Sequence, residues 1–199
     1  MPKNWKYIKK LLEKEFLCEK LRGHITYDLT EYKPAPWDQQ HFILKCNQDV
    51  LLEAQMSIYN GSGRYNLKIN PYQIGVMLSH QLHQKLNIEN HTCYQDDIDI
   101  ASYECAEKMF EYIAHYDGIY GVSEIMDDIG IFLHSDIFDS LKSERYFIRA
   151  LAILDRRCGK RTLEKLAKET CTGLPDWLKR IYLIRFKSEN IKYTSAYIA

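Results

Sequence analysis

Four cations and one carboxylate crowd into seven positions of this chain, Asp155, Arg156, Arg157, Lys160 and Arg161 in the run D-R-R-C-G-K-R. A guanidinium grips carboxylate or phosphate through parallel N–H groups, so such a segment suits an anionic partner. The run follows the apolar stretch Ile148 to Leu154, which reads as a helix over 144–157. On a helical wheel carried through to 160, Arg145, Arg149, Arg156 and Lys160 fall within about 60° of one another. Phe147, Leu151, Leu154 and Cys158 take the opposite side and enter the core. With Arg161 added, this face offers a line of cations to an acidic protein or to a phosphate backbone. The alternative is internal: the arginines pair with the acidic block at 96–139 and with Asp155 and Glu164, and favour the helix dipole without any ligand.

Three further constellations have ligand-type residues. His80 and His83 share a face of the helix expected over 71–86, with His91 and Cys93 beyond, and imidazole with thiolate suits zinc or nickel. Their spacing matches no established site, so half-buried or surface histidines are the simpler reading. Glu104, Glu107, Glu111 and His115 line one face of a helix expected over 98–116, like half of a bundle metal site. Completing it needs His134, Asp136 and Asp139 from a facing helix, and a solvated acidic face is the simpler reading. Asp96, Asp97 and Asp99 lack the glycine and distal glutamate of a calcium loop.

The search for a nucleophile is negative. The chain has no G-x-S-x-G elbow, H-E-x-x-H pair, dinucleotide turn or P-loop, and Gly159-Lys160-Arg161-Thr162 lacks the earlier glycine and preceding strand. No catalytic residue and no cofactor are assigned, and no metal is assigned to His80, His83, Glu107, Glu111 or His115.

The elements that must position these residues follow from pattern. Residues 4–20 read as a helix with Trp5, Ile8, Leu12, Phe16 and Leu17 in one stripe and Gly23 after its end. His24 to Tyr32 alternates with period two and is broken by Lys33-Pro34-Ala35-Pro36, His41 to Cys46 forms a second strand, and Asn47-Gln48-Asp49 turns into a third over 50–59. A weaker fourth strand is expected over Arg64 to Ile69 after Asn60-Gly61-Ser62-Gly63. Short connections of this kind imply an antiparallel meander. From Ile98 onward the pattern is helical, over 98–116, 123–134, 144–157, 160–170 and 174–188, and the last ten residues read as an extended arm. The expected fold is therefore α+β: an N-terminal helix with an antiparallel three- to four-stranded meander, then a helical C-terminal half of about five helices. The α+β part is assigned to 1–88 and the helical part to 89–199, as one compact unit.

Charge is segregated although the net charge is zero. Residues 89–140 carry 13 acids against Lys108 alone, whereas 141–199 carry 14 basic and 6 acidic side chains. Blocks of opposite sign either face each other or occupy different surfaces. The 15 tyrosines suit half-buried recognition surfaces, which favours a binding role. Six scattered cysteines without a C-x-x-C pair make neither a disulfide framework nor a zinc ribbon. The N-terminus has no signal-peptide pattern and no run reaches the length of a membrane span, so a reduced, cytoplasmic protein with no membrane partner is expected.

Two segments carry a resemblance. Phe16-Leu17-Cys18-Glu19-Lys20-Leu21-Arg22-Gly23 with Tyr27 and Thr30-Glu31-Tyr32, and Ile148 to Arg161 with Leu174-Pro175 to Arg185, resemble a family of uncharacterised bacterial proteins of about 200 residues. The resemblance implies a bacterial cytoplasmic origin and carries no activity or functional residue onto this chain. It also makes L-A-I-L-D-R-R followed by G-K-R-T-L-E-K-L look like two helices meeting at a corner, where an Asp and an Arg tie backbone ends. The reading that follows is a non-catalytic module whose partner is another protein, met through segregated acidic and basic faces. Alternatives are a nucleic-acid binder using 145–161 with Tyr182 and Trp177, and an enzyme or metalloprotein with a Glu/His helix face.

Overall fold

The computed structural model describes residues 4–32, 39–55, 114–169, 173–194 and 197. The chain divides into two compact units, residues 62–115 and a second formed by 1–61 with 116–199. Apart from His115, everything described below belongs to the second.

An opening α-helix, α1 (Trp5–Lys10), continues as one π-helical stretch over Leu11–Phe16, after which Leu17 turns extended. Strands β1 (Ile25–Tyr32), β2 (Gln39–Cys46) and β3 (Asp49–Gln55) follow as an antiparallel meander. Period-two alternation gives the sheet one buried face, because Tyr27 and Leu29 pair with Leu44 and Phe42, which pair in turn with Leu52 and Ala54. The other face is polar, with Asp28 held by Lys9 at 2.6 Å and His41 Nε2 2.6 Å from Glu53 Oε1. Asn47 takes a positive φ of 55° in the tight β2–β3 turn, a conformation that asparagine tolerates. The free edge of β1 is partly closed by Glu13, whose carboxylate accepts the Tyr27 backbone N–H at 3.0 Å.

The three-strand antiparallel meander is as expected, and a strand that was not expected extends it. Strand β4 (Ile119–Gly121) enters from much later in the chain and runs parallel to β3, so the sheet is mixed, in the order β1-β2-β3-β4. The strand expected over Arg64 to Ile69 lies outside the described residues.

Five helices complete the unit: α2 (Val122–Leu133), α3 (Ile137–Lys142), α4 (Tyr146–Leu154), α5 (Lys160–Leu166) and α6 (Asp176–Ser188). Helix α3 was not expected from the pattern; Asp136 starts it by accepting the Phe138 backbone N–H at 2.7 Å. Helix α4 is apolar on all sides and buried at every residue except half-buried Arg149, which makes it the centre of the core. Phe147 packs edge-on against Phe42 of β2 at 5.7 Å, and Phe42 meets Trp5 of α1 at 6.0 Å, so one aromatic chain links helix, sheet and helix. Among the described residues no helix is long and apolar enough to cross a membrane.

Candidate functional site

The helix expected over 144–157 stops at Leu154, and its end is set by the other end of the chain. Asp155 takes an extended conformation (φ −69°, ψ 140°) and pairs with Leu17 as an isolated antiparallel bridge. Cys18 N–H donates to the Leu154 carbonyl at 2.9 Å and Arg156 N–H donates to the Phe16 carbonyl at 2.7 Å. The two segments that carry the family resemblance therefore meet backbone to backbone. Partners for the last carbonyls come from a distant segment, so α4 ends without needing a glycine.

The Asp155 carboxylate then ties the corner. It accepts the Arg157 backbone N–H at 2.7 Å, Arg157 Nε at 2.9 Å and Arg157 Nη2 at 2.8 Å. The Arg157 guanidinium lies 4.8 Å from the Phe16 ring centre and 5.5 Å from that of Phe132, which meet each other edge-on at 5.6 Å. The expected Asp-and-Arg tie thus exists, made by Asp155 and Arg157.

A second arginine, to which the sequence pattern assigned no role, completes the corner from α6. Arg185 is 3% exposed, and its Nε donates to the Ile153 carbonyl while Nη2 donates to the Cys158 carbonyl, each at 3.2 Å. Its Nη1 reaches Glu189 Oε1 at 2.6 Å, and Glu189 Oε2 accepts from Lys20 at 2.7 Å. Burial pushes the Glu189 carboxyl up, but the hydrogen bonds and charges of Lys20 and Arg185 outweigh it and hold it below the ordinary carboxylate range. The signal was available: Leu178, Ile181, Tyr182, Arg185 and Phe186 form one helical stripe, and an arginine inside an apolar stripe must be paired.

The five cations expected on one helix face do not share one. Arg145 precedes α4, and its Nε lies 2.7 Å from Oδ1 of the buried Asp128, an internal pairing with the acidic block. Arg149 is half-buried against Tyr182, whose hydroxyl is raised by burial, with the Arg149 charge acting against the rise. Arg156, Lys160 and Arg161 lie on the turn and on α5, past the break at Asp155, and all three are exposed. Among the described residues none of these three has a carboxylate within ion-pairing distance. Trp177 and Tyr182 are buried in the core, which removes them as stacking platforms for bases.

Chemistry beyond charge is limited at this corner. Burial pushes the Cys158 thiol up to about 11 despite the nearby Arg185 charge, and it raises Cys18 likewise, so neither supplies thiolate at neutral pH. The gap bounded by Leu12, Phe16, Leu17, Tyr27, Phe132 and Asp155 has no room for a water molecule. Among the described residues no group of three His, Cys, Asp or Glu side chains is placed to hold a metal ion. His115 is half-buried there, whereas His80, His83, Glu107 and Glu111 lie outside the described residues.

The model of the SF0329 protein family matches residues 4–186, a span that contains both strands of the corner and Arg185. No curated protein and no solved structure matches the chain.

Proposed function

We propose, for a chain that belongs to the SF0329 protein family, a non-catalytic role: the corner after α4 docks an acidic surface of another protein. The supporting observation is the exposed triad Arg156, Lys160 and Arg161, none with a carboxylate in reach among the described residues. The backbone of the corner from Ile153 to Cys158, which holds Arg156 and leads into Lys160 and Arg161, is fixed from three directions, by Phe16 to Cys18, by Asp155 with Arg157, and by Arg185. Exposed cations on a fixed frame lose less freedom on binding than cations on a mobile arm. Charge of this kind sets association rate and partner choice more than affinity, and it weakens with salt. Arg145 and Arg149 are already engaged and take no part.

The test uses poly-glutamate as the acidic probe and duplex DNA as the competing polyanion. Wild-type protein binds poly-glutamate at about 50 mM salt and loses most affinity by about 200 mM. The R156E/K160E/R161E variant, checked for folding by circular dichroism, binds at least about tenfold more weakly. Equal binding by the variant would sink the proposal, and so would DNA bound more tightly than poly-glutamate.

A further inference from the structure

The outer face of the opening helix carries a second set of cations. Lys6 and Lys10 of α1 and Lys14 of the π-helical stretch are all exposed, whereas Trp5 and Leu12 enter the core. Four residues of α-helix advance about 40° past a full turn, so an unbroken α-helix would carry Lys14 steadily away from Lys6. The stretch after Lys10 is wider: Leu17 N–H closes it on the Leu12 carbonyl, five residues back, at 2.9 Å. A wider turn rotates less per residue and returns Lys14 towards the line of the other two. Among the described residues none of the three has a carboxylate within ion-pairing distance. Tyr7, 62% exposed, precedes Lys10 by three residues, so the two are neighbours on the helix surface.

The positive strip is narrow. On the side of the sheet, Lys9 is held by Asp28 at 2.6 Å and lies 3.7 Å from Glu13, and exposed Glu15 follows Lys14. An anionic membrane is a plane and would meet these carboxylates together with the lysines. A single nucleic-acid strand follows a line. Lys6 and Lys10 stand about 6 Å apart along the axis, close to the step between phosphates of an extended strand. Unpaired bases can stack on an exposed tyrosine, whereas those of a duplex are closed to it. We infer that the outer face of this helix binds single-stranded nucleic acid, with Lys6, Lys10 and Lys14 on the phosphates and Tyr7 against a base. The surface shares no residue with the basic triad of the corner, and neither proposal depends on the other.

Fluorescence anisotropy of a labelled oligothymidylate of about 12 nucleotides reads the outcome. The full chain binds it at about 50 mM salt, and log Kd rises with log salt at a slope of about 2, as three phosphate contacts on a single strand require. K6Q/K10Q/K14Q, checked for folding by circular dichroism, binds at least about tenfold more weakly and loses the slope. Tyr7→Ala weakens binding at least about fivefold and keeps the slope, because stacking releases no counterions. No binding at low salt, a slope kept in the lysine variant, or wild-type affinity in Tyr7→Ala overturns the inference. So does a slope lost in R156E/K160E/R161E instead, which would place the strand on the corner. Tighter lysine-dependent binding to a matched duplex or to phosphatidylserine vesicles overturns it as well.

Discussion

Leu17 and Asp155, near opposite ends of the chain, pair as an antiparallel bridge, and that bridge is what stops helix α4. The hydrogen bonds on either side of it, Cys18 to Leu154 and Arg156 to Phe16, turn the chain outward at the point where the exposed cations begin. Stability of the corner and presentation of the basic triad are thus one structural problem, and variants at the corner should separate into those that unfold it and those that only change its charge.

Asp155→Asn keeps the shape of the side chain but loses the charge opposite Arg157. The carboxylate is fully buried while the Arg157 side chain is 36% exposed, so the guanidinium regains water in part. The expected loss is about 2–3 kcal/mol, short of a fully buried pair. It is read as a fall in the denaturant midpoint at unchanged slope; an unchanged midpoint would mean that the carboxylate does not tie the corner.

Arg185→Ala strips donors from two buried carbonyls, at Ile153 and Cys158, and unpairs one oxygen of Glu189. A loss of about 3 kcal/mol or more is expected, with Arg185→Lys recovering only a part because an ammonium lacks the planar fork. Full rescue by lysine would show that charge alone matters here.

The Glu189 carboxyl is held below its ordinary value of 4.5 in the folded chain by Lys20 and Arg185, which overcome the effect of burial. A depressed folded value means that its contribution is complete above the unfolded value and disappears as pH falls through the folded one. Wild-type stability should therefore drop below pH 4.5 more steeply than that of Glu189→Gln. Parallel acid limbs for the two proteins would remove Glu189 as a contributor.

Thiol labelling should follow burial. All three thiols are raised, chiefly by burial, but Cys46 is only half-buried, so at mildly alkaline pH it reacts with iodoacetamide before the buried Cys18 and Cys158. Peptide mapping by mass spectrometry should find Cys158 labelled only at the rate of opening of the core. Early labelling of Cys158 would contradict the packing of the corner.

Gly118 has a φ of 79°, and a Cβ there would lie 3.0 Å from the Trp177 ring. Gly118→Ala meets both backbone strain and a rigid buried side chain, with about 1–3 kcal/mol lost. Gly130, exposed inside α2 with open space around its α-carbon, serves as the control: alanine there should hold or raise the thermal midpoint.

Much of the frame was legible because it is written in local periodicity. Alternation in His24 to Tyr32 and His41 to Cys46 identified β1 and β2, and Asn47 identified their link to β3. Helix α2 begins within one residue of its expected start and α6 within two, since each has a clean apolar stripe. The short helix α3 escaped, because six residues hold too few turns to show a period. Strand β4 escaped as well: its partner β3 lies far away in sequence, and three residues declare no pairing.

The sequence by itself determined the α+β order, the buried faces and the supply of cations after Leu154, because side-chain spacing and charge are local properties. Only the tertiary structure decided which cations are available. A helical wheel carries Arg145, Arg149, Arg156 and Lys160 along one line, but the wheel holds only while the helix continues. Leu17 breaks it at Asp155, Asp128 holds Arg145, and Tyr182 flanks Arg149. Arg156, Lys160 and Arg161 stay exposed past the break. Helix ends and ion pairs depend on what a distant segment offers to a backbone carbonyl or a guanidinium, and that information resides in the fold.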